Sequence, residues 1–214
     1  MEEHESKAVQ AVAGTGGKVV DAATEFGRFL GKVLGTVPQD AVGVIGGDWL
    51  HEFRARNLHR MQQRTEEILG MRETAHMRPV SPTLAIPLFK AAQDESRSEL
   101  QELWARLLAN AMDKTRSNVR RDFIEILQKL EPLDAAILNK ASERDNLNAA
   151  LISEDLAKEL KATDDQIIVS LSNMRSIGCF DVVHYYQEVG REGMLRHTST
   201  LSAYGRELVR AVTR

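Results

Sequence analysis

Hydrophobic residues recur at helical spacing through most of the chain and switch to alternation only near its end. From Lys18 to Val37, Val19, Ala23, Phe26, Leu30, Val33, Leu34 and Val37 fall on one stripe, with Lys18, Asp21, Glu25, Arg28 and Lys32 opposite. Gly27, Gly31 and Gly35 run along the border between the stripes, and Pro38 ends or kinks this helix. Ala41–Gly47 repeats the four-residue spacing with Gly43 and Gly47. A longer helix is expected from a cap at Asp48 to about Leu69, stopped by Gly70. Trp49, Leu50, Phe53, Met61 and Ile68 mark its apolar side, and Arg54, Arg56, Arg60 and Arg64 its polar side. Residues 70–82, with two prolines, read as a linker.

The stretch Thr83–Leu130 has the strongest helical pattern. A first helix carries Leu84, Leu88, Ala91 and Ala92; a second is expected to start at a Ser96/Glu99 capping box and to bury Leu100, Leu103, Trp104, Leu107, Leu108 and Ala111. A third, from about Ser117 to Leu130, buries Phe123, Ile124, Leu127 and Leu130. Beyond residue 131 the pattern changes to Leu133–Ser142 as a helix, then short helices capped by Ser153 and Thr163, with the second ending at Gly178. Phe180–Tyr186 and Leu195–Leu201 read as strands around a turn at Gln187–Gly193, and Ser202 caps a closing helix. The expected fold is mainly α: glycine-rich amphipathic N-terminal helices over residues 1–78, a central helical bundle over 79–131, and a winged-helix-like domain over 132–214.

Composition fits a helical chain, with 43% hydrophobic, 28% charged and only 5% aromatic residues. The net charge of −3 is unevenly spread: residues 51–80 hold six basic and four acidic side chains, residues 131–214 ten basic and thirteen acidic. No region is basic enough to announce duplex DNA binding. The expected recognition helix opens with Asp164 and Asp165 and carries only Arg175 as a cation, so its entering end repels phosphates. Cys179 is the single cysteine, is flanked by Gly178 and Phe180, and reads as a small buried hydrophobe in a reducing compartment. The longest uncharged runs, Ala8–Gly17 and Pro79–Phe89, are shorter than the ~18 apolar residues of a spanning helix.

Nine of the fourteen glycines lie within residues 8–50. A helix-interior glycine costs about 1 kcal/mol relative to alanine, so the Gly27–Gly31–Gly35 ladder calls for a compensating contact. Small residues at this spacing let a second helix approach closely, either inside a soluble monomer or between copies in a membrane. Facing lipid, the charges Lys18, Asp21, Glu25, Arg28 and Lys32 would be expensive; facing a water-filled lumen between copies they are tolerable. The arginine row Arg54, Arg56, Arg60 and Arg64 is a solvated face in its plainest reading. Lipid headgroups, a nucleotide or a single-stranded nucleic acid are the anionic ligands that would give it a role. Lys114, Arg116, Arg120 and Arg121 cluster at a turn between helices and form a second anion-binding candidate.

Enzyme chemistry is not written in the residues. There is no phosphate loop, no Gly-x-Ser-x-Gly and no paired-cysteine zinc motif, and His4, His51, His59, His76, His184 and His197 lack metal-ligand spacing. Asp113 and Asp122 flank the second basic cluster and read as balancing it. No catalytic residue, metal site or cofactor is expected.

The run Glu99-Leu-Gln-Glu-Leu-Trp104-Ala-Arg-Leu-Leu-Ala-Asn110-Ala-Met-Asp113, followed by Phe123-Ile-Glu-Ile-Leu127 and Leu130-Glu-Pro-Leu-Asp134-Ala, resembles the Abi-alpha (abortive infection alpha) family of bacterial phage-defence proteins. The proline-rich stretch before it and the tail ending Thr200-Leu-Ser-Ala-Tyr-Gly205 also fit. The resemblance implies an effector that harms its host cell when released, through the inner membrane, from a bacterial cytoplasm, and it transfers no catalytic residue. The expected function is a self-associating effector that permeabilises the inner membrane under control of an anionic nucleotide or oligonucleotide. A winged-helix transcriptional regulator and a soluble scaffold of a defence system are the competing readings.

Overall fold

The computed structural model describes residues 47–71, 78–116, 119–189 and 192–213. Eight helices and a small antiparallel sheet make up this part of the chain, which is mainly helical. The helices are α1 (Gly47–Gly70), α2 (Pro82–Ala92), α3 (Ser98–Ala111), α4 (Asp122–Leu127), α5 (Pro132–Ser142), α6 (Ser153–Leu160), α7 (Asp164–Ser176) and α8 (Ala203–Thr213). The strands are β1 (Leu151–Ile152), β2 (Phe180–Val189) and β3 (Glu192–Leu201), ordered β1-β3-β2. The glycine ladder Gly27, Gly31 and Gly35 and the polar stripe Lys18, Asp21, Glu25, Arg28 and Lys32 lie outside the described residues.

Helix α3 is the axis of the body. Leu100, Leu103, Trp104, Ala105, Leu107, Leu108, Ala109, Asn110 and Ala111 are all buried, so its second half is covered nearly all round. Helices α1, α2, α4, α5 and α8 pack against it, and one hydrophobic cluster runs from Leu58 of α1 to Val212 of α8. Polar side chains at four-residue spacing on α3 reach out of this core. Glu102 accepts from Arg64 of α1 and from Arg106 at 2.6 Å; Arg106 donates to the Thr213 carbonyl at 2.6 Å; Asn110 donates to the Ala211 carbonyl at 2.6 Å. The last two bonds satisfy carbonyls at the end of α8 that have no partner within the helix.

Local chemistry explains the starts of α5, α7 and α8. Thr163 and Gln166 form a reciprocal capping box on α7: the Gln166 amide donates to Thr163 Oγ1 at 3.3 Å and the Thr163 amide to Gln166 Oε1 at 2.9 Å. Pro132 occupies the first turn of α5, where a missing N–H costs nothing. Asp134 in the same turn accepts from the Glu131 amide at 2.9 Å, from Asn173 Nδ2 at 2.7 Å and from Ser170, which ties α5 to α7. Ser202 accepts from the Gly205 amide at 2.9 Å and donates to the Gly178 carbonyl at 2.6 Å. Gly178 has φ 79°, in the left-handed region that glycine enters without strain. Gly205 is needed for another reason: a Cβ there would lie 1.9 Å from the Cys179 carbonyl oxygen.

Several elements differ from the sequence expectation, among them α6, which has Ile152 and not Ser153 at its cap position and no side-chain cap. Helix α3 begins at Ser98 without the Ser96/Glu99 box, because Glu95 takes the Arg97 amide at 2.8 Å and its guanidinium at 2.9 Å, which forms a separate local turn. The helix expected over Ser117–Leu130 is only the six residues of α4. Its flanks are tightened by i→i−3 bonds from Phe123 and Ile124 at one end and from Lys129 and Leu130 at the other. The strands are longer than expected, with Phe180 paired to Leu201 and Val189 to Glu192, and β1 adds the pairs Leu151–Ser199 and Ile152–Thr198.

Candidate functional site

The arginine row of α1 separates into two pairs. Arg54 Nε lies 2.5 Å from Asp94 in the α2–α3 loop. Arg64 donates to Glu102 of α3 and, at 2.6 Å, to Glu67 one turn on. These hydrogen bonds, the one to Glu102 first, raise the Arg64 pKa and keep it charged at any working pH. Glu102 is half-buried, which by itself pushes its carboxyl up; the hydrogen bonds from Arg64 and then Arg106 outweigh this and hold it below the ordinary value of 4.5. Asn57 donates to the Gln93 carbonyl at 2.9 Å and Thr65 Oγ1 to the Met61 carbonyl at 2.7 Å, and both are buried at the α1–α3 seam.

Arg56 and Arg60 point the other way. Both are exposed, and neither has an ion pair among the described residues. Trp49, Phe53, Arg56 and Arg60 are spaced by four, three and four residues, so they share one stripe of α1. Trp49 is 64% exposed, and its ring meets that of Phe53 at 6.4 Å with a 56° tilt. The sequence pattern sets Trp49 and Phe53 on the apolar side of the helix and Arg56 and Arg60 on the opposite one; the structure instead leaves Trp49 exposed on the stripe of the two arginines. Which arginines are neutralised was not readable in sequence, because Asp94 and Glu102 are 40 and 38 residues away from their partners.

The second cluster also divides. Arg116 lies 3.7 Å from Asp113, whose carboxylate also accepts from the Thr115 amide at 2.8 Å. Arg120 is 2.9 Å from Asp122 and stacks 5.6 Å over the Tyr204 ring, which meets Phe123 edge-on at 5.4 Å. The bond from Arg120 holds the Asp122 carboxyl below its ordinary range. Lys114 and Arg121 are exposed and have no ion pair among the described residues. Both sequence-identified aspartates thus face cations of this cluster. Helix α4, at six residues, is too short to add a developed helix-end field.

Cys179 is fully buried, and desolvation, with a smaller contribution from the Asp134 charge, pushes its thiol up to about 12. No group of three or more potential metal ligands occurs among the described residues, and no helix among them is long and apolar enough to cross a membrane. On the exposed side of α7 stand Asp164, Asp165, Gln166, Val169 and Arg175, with Val169 68% exposed.

The model of the family described as Abortive infection alpha matches residues 54–212. No curated protein and no solved structure matches the chain. The matched span starts at Arg54 and takes in all of α2, α3, α4 and α5 and most of α1 and α8. Trp49, Phe53 and the glycine ladder precede it.

Proposed function

The chain belongs to the abortive infection alpha family, and from that premise we propose that it is an anti-phage effector that self-associates and permeabilises the inner membrane when triggered. Family membership over residues 54–212 is the observation that carries the defence role. The membrane role is supported by the chain that precedes the matched span. Its Gly27–Gly31–Gly35 ridge suits helix–helix contact between copies, with Lys18, Asp21, Glu25, Arg28 and Lys32 turned to a water-filled lumen. No step of this action needs an enzyme, a cofactor or a metal.

An anionic nucleotide or oligonucleotide is the proposed regulator. Lys114 and Arg121, beside the paired Arg116 and Arg120, offer cations without ion-pair partners among the described residues. We read the C-terminal arrangement of α5, β1, α6, α7, the β2–β3 hairpin and α8 as winged-helix-like. Asp164 and Asp165 at the start of α7 and the exposed Val169 favour a protein contact there over a DNA duplex.

Phage challenge of cells carrying the chain tests the proposal. Infected cells are expected to stop growing before progeny phage appear, and Gly27→Leu/Gly31→Leu is expected to abolish this while far-UV circular dichroism stays native. Arrest that persists in that variant contradicts assembly through the ladder. Salt-sensitive duplex binding lost on substituting residues 163–176 would instead favour the transcriptional regulator.

A further inference from the structure

Helix α1 carries an exposed face that the helical body leaves uncovered. Its core side is taken up by Asn57, Leu58, Met61, Thr65 and Leu69, all buried. Its cross-links to the body, Arg54–Asp94, Asn57–Gln93 and Arg64–Glu102, all lie C-terminal to Phe53. The stripe of Trp49, Phe53, Arg56 and Arg60 therefore starts before the first of these cross-links and continues along solvent.

We propose that Trp49, Phe53, Arg56 and Arg60 form a docking stripe that lays α1 along the headgroup layer of an anionic bilayer. The inference rests on the membrane reading above and names the surface that reading requires. Three observations select this occupant. Chemically, the stripe joins an indole, whose apolar body and polar N–H suit a membrane–water interface, to two guanidinium groups that match phosphodiesters. By position, the aromatic end directly follows residues 1–46, which contain the amphipathic Lys18–Val37 stretch, so docking α1 brings that stretch to the same surface. By charge, Arg56 and Arg60 have no ion pair among the described residues, while Glu67, further along the stripe, is engaged by Arg64.

Other occupants fit less well. A second copy packed two-fold on this face would set guanidinium groups against each other. A single-stranded nucleic acid uses successive exposed rings as stacking platforms, whereas on this stripe Trp49 is exposed and Phe53 is half-buried. Glu52, exposed three residues after Trp49 and four before Arg56, borders the stripe and offsets part of its charge, so the two arginines leave it net cationic.

The test uses the full chain with vesicles of phosphatidylglycerol and phosphatidylethanolamine, and phosphatidylcholine vesicles as the neutral control. Co-flotation with the anionic vesicles is expected, together with a blue shift of tryptophan emission and its quenching by brominated acyl chains. Trp104 is 1% exposed within the body, so Trp49→Phe should remove both signals. Arg56→Gln/Arg60→Gln should weaken partitioning about 30-fold, from roughly 1 kcal/mol per basic residue near an anionic surface. Gly27→Leu/Gly31→Leu should still float and quench but no longer leak, and a wild type that floats and quenches without leakage sinks the pore and leaves the docking intact. Flotation with Trp49 unquenched, or unchanged partitioning of the Arg56→Gln/Arg60→Gln variant, overturns the stripe. So does an oligothymidylate that binds the wild type through these arginines while vesicles do not.

Discussion

Asn110 Nδ2 donates to the Ala211 carbonyl at 2.6 Å and joins the axis helix α3 to the closing helix α8 across 101 positions. Both residues are buried, and Arg106, one turn earlier, repeats the link to the Thr213 carbonyl. The Trp104 helix thus holds the end of the described chain by side-chain bonds to helix-end carbonyls, in addition to apolar packing.

Asn110→Ala removes this donor and leaves a buried carbonyl without it, a loss of about 1–3 kcal/mol. Urea unfolding followed by circular dichroism should show a lower midpoint with an unchanged slope. Arg106→Ala should cost less, because Thr213 is only half-buried.

Gly205→Ala tests the approach of α8 to the loop before β2. The added methyl would meet the Cys179 carbonyl oxygen at 1.9 Å, so the helix must shift, at about 1–3 kcal/mol or more. Thermal melts should rank it below Ser202→Ala, which removes the cap, worth about 1 kcal/mol, and a bond to the exposed Gly178 carbonyl.

Helices α7 and α8 also show what was legible in the chain. Thr163 and Gln166, three residues apart, announce the start of α7 because both partners of the cap are local. Ser202 and Gly178 were readable for the same reason. The Ser96/Glu99 box fails because Glu95 and Arg97, equally local, form a competing turn that propensity does not rank. Two-residue β1 carries too little pattern to be seen and exists only through its pairing with Ser199 and Thr198. The arginine row was visible as a row; its division into Arg54 and Arg64, held by carboxylates, and Arg56 and Arg60, held by none among the described residues, depends on helices packing together.

Acid should loosen the body through Glu102 and Glu95. Half-burial raises both carboxyls, but bonds from Arg64 and Arg106 to Glu102, and from Arg97 to Glu95, win and lower them below 4.5. A carboxyl lowered on folding contributes stability above its unfolded value and loses it as pH falls through the folded one. Urea midpoints are therefore expected to fall below about pH 4.5, and the slope should flatten in Glu102→Gln. An equally steep acid loss in that variant would assign the effect elsewhere.

Cys179 should be silent to thiol reagents in the folded chain. It is fully buried and its thiol is pushed up to about 12, so almost no thiolate is present at pH 8. Labelling by a disulfide reagent should appear only with urea, along the unfolding curve. Fast labelling of the native protein would contradict the packing of Cys179 beneath α8.

A membrane effect of the full chain is the central proposal, and dye release from anionic vesicles measures it most directly. The wild type is predicted to release an encapsulated dye from phosphatidylglycerol vesicles, and Gly27→Leu/Gly31→Leu to bind them without release. Release that persists unchanged in that variant, or a wild type that binds and releases nothing, would contradict it.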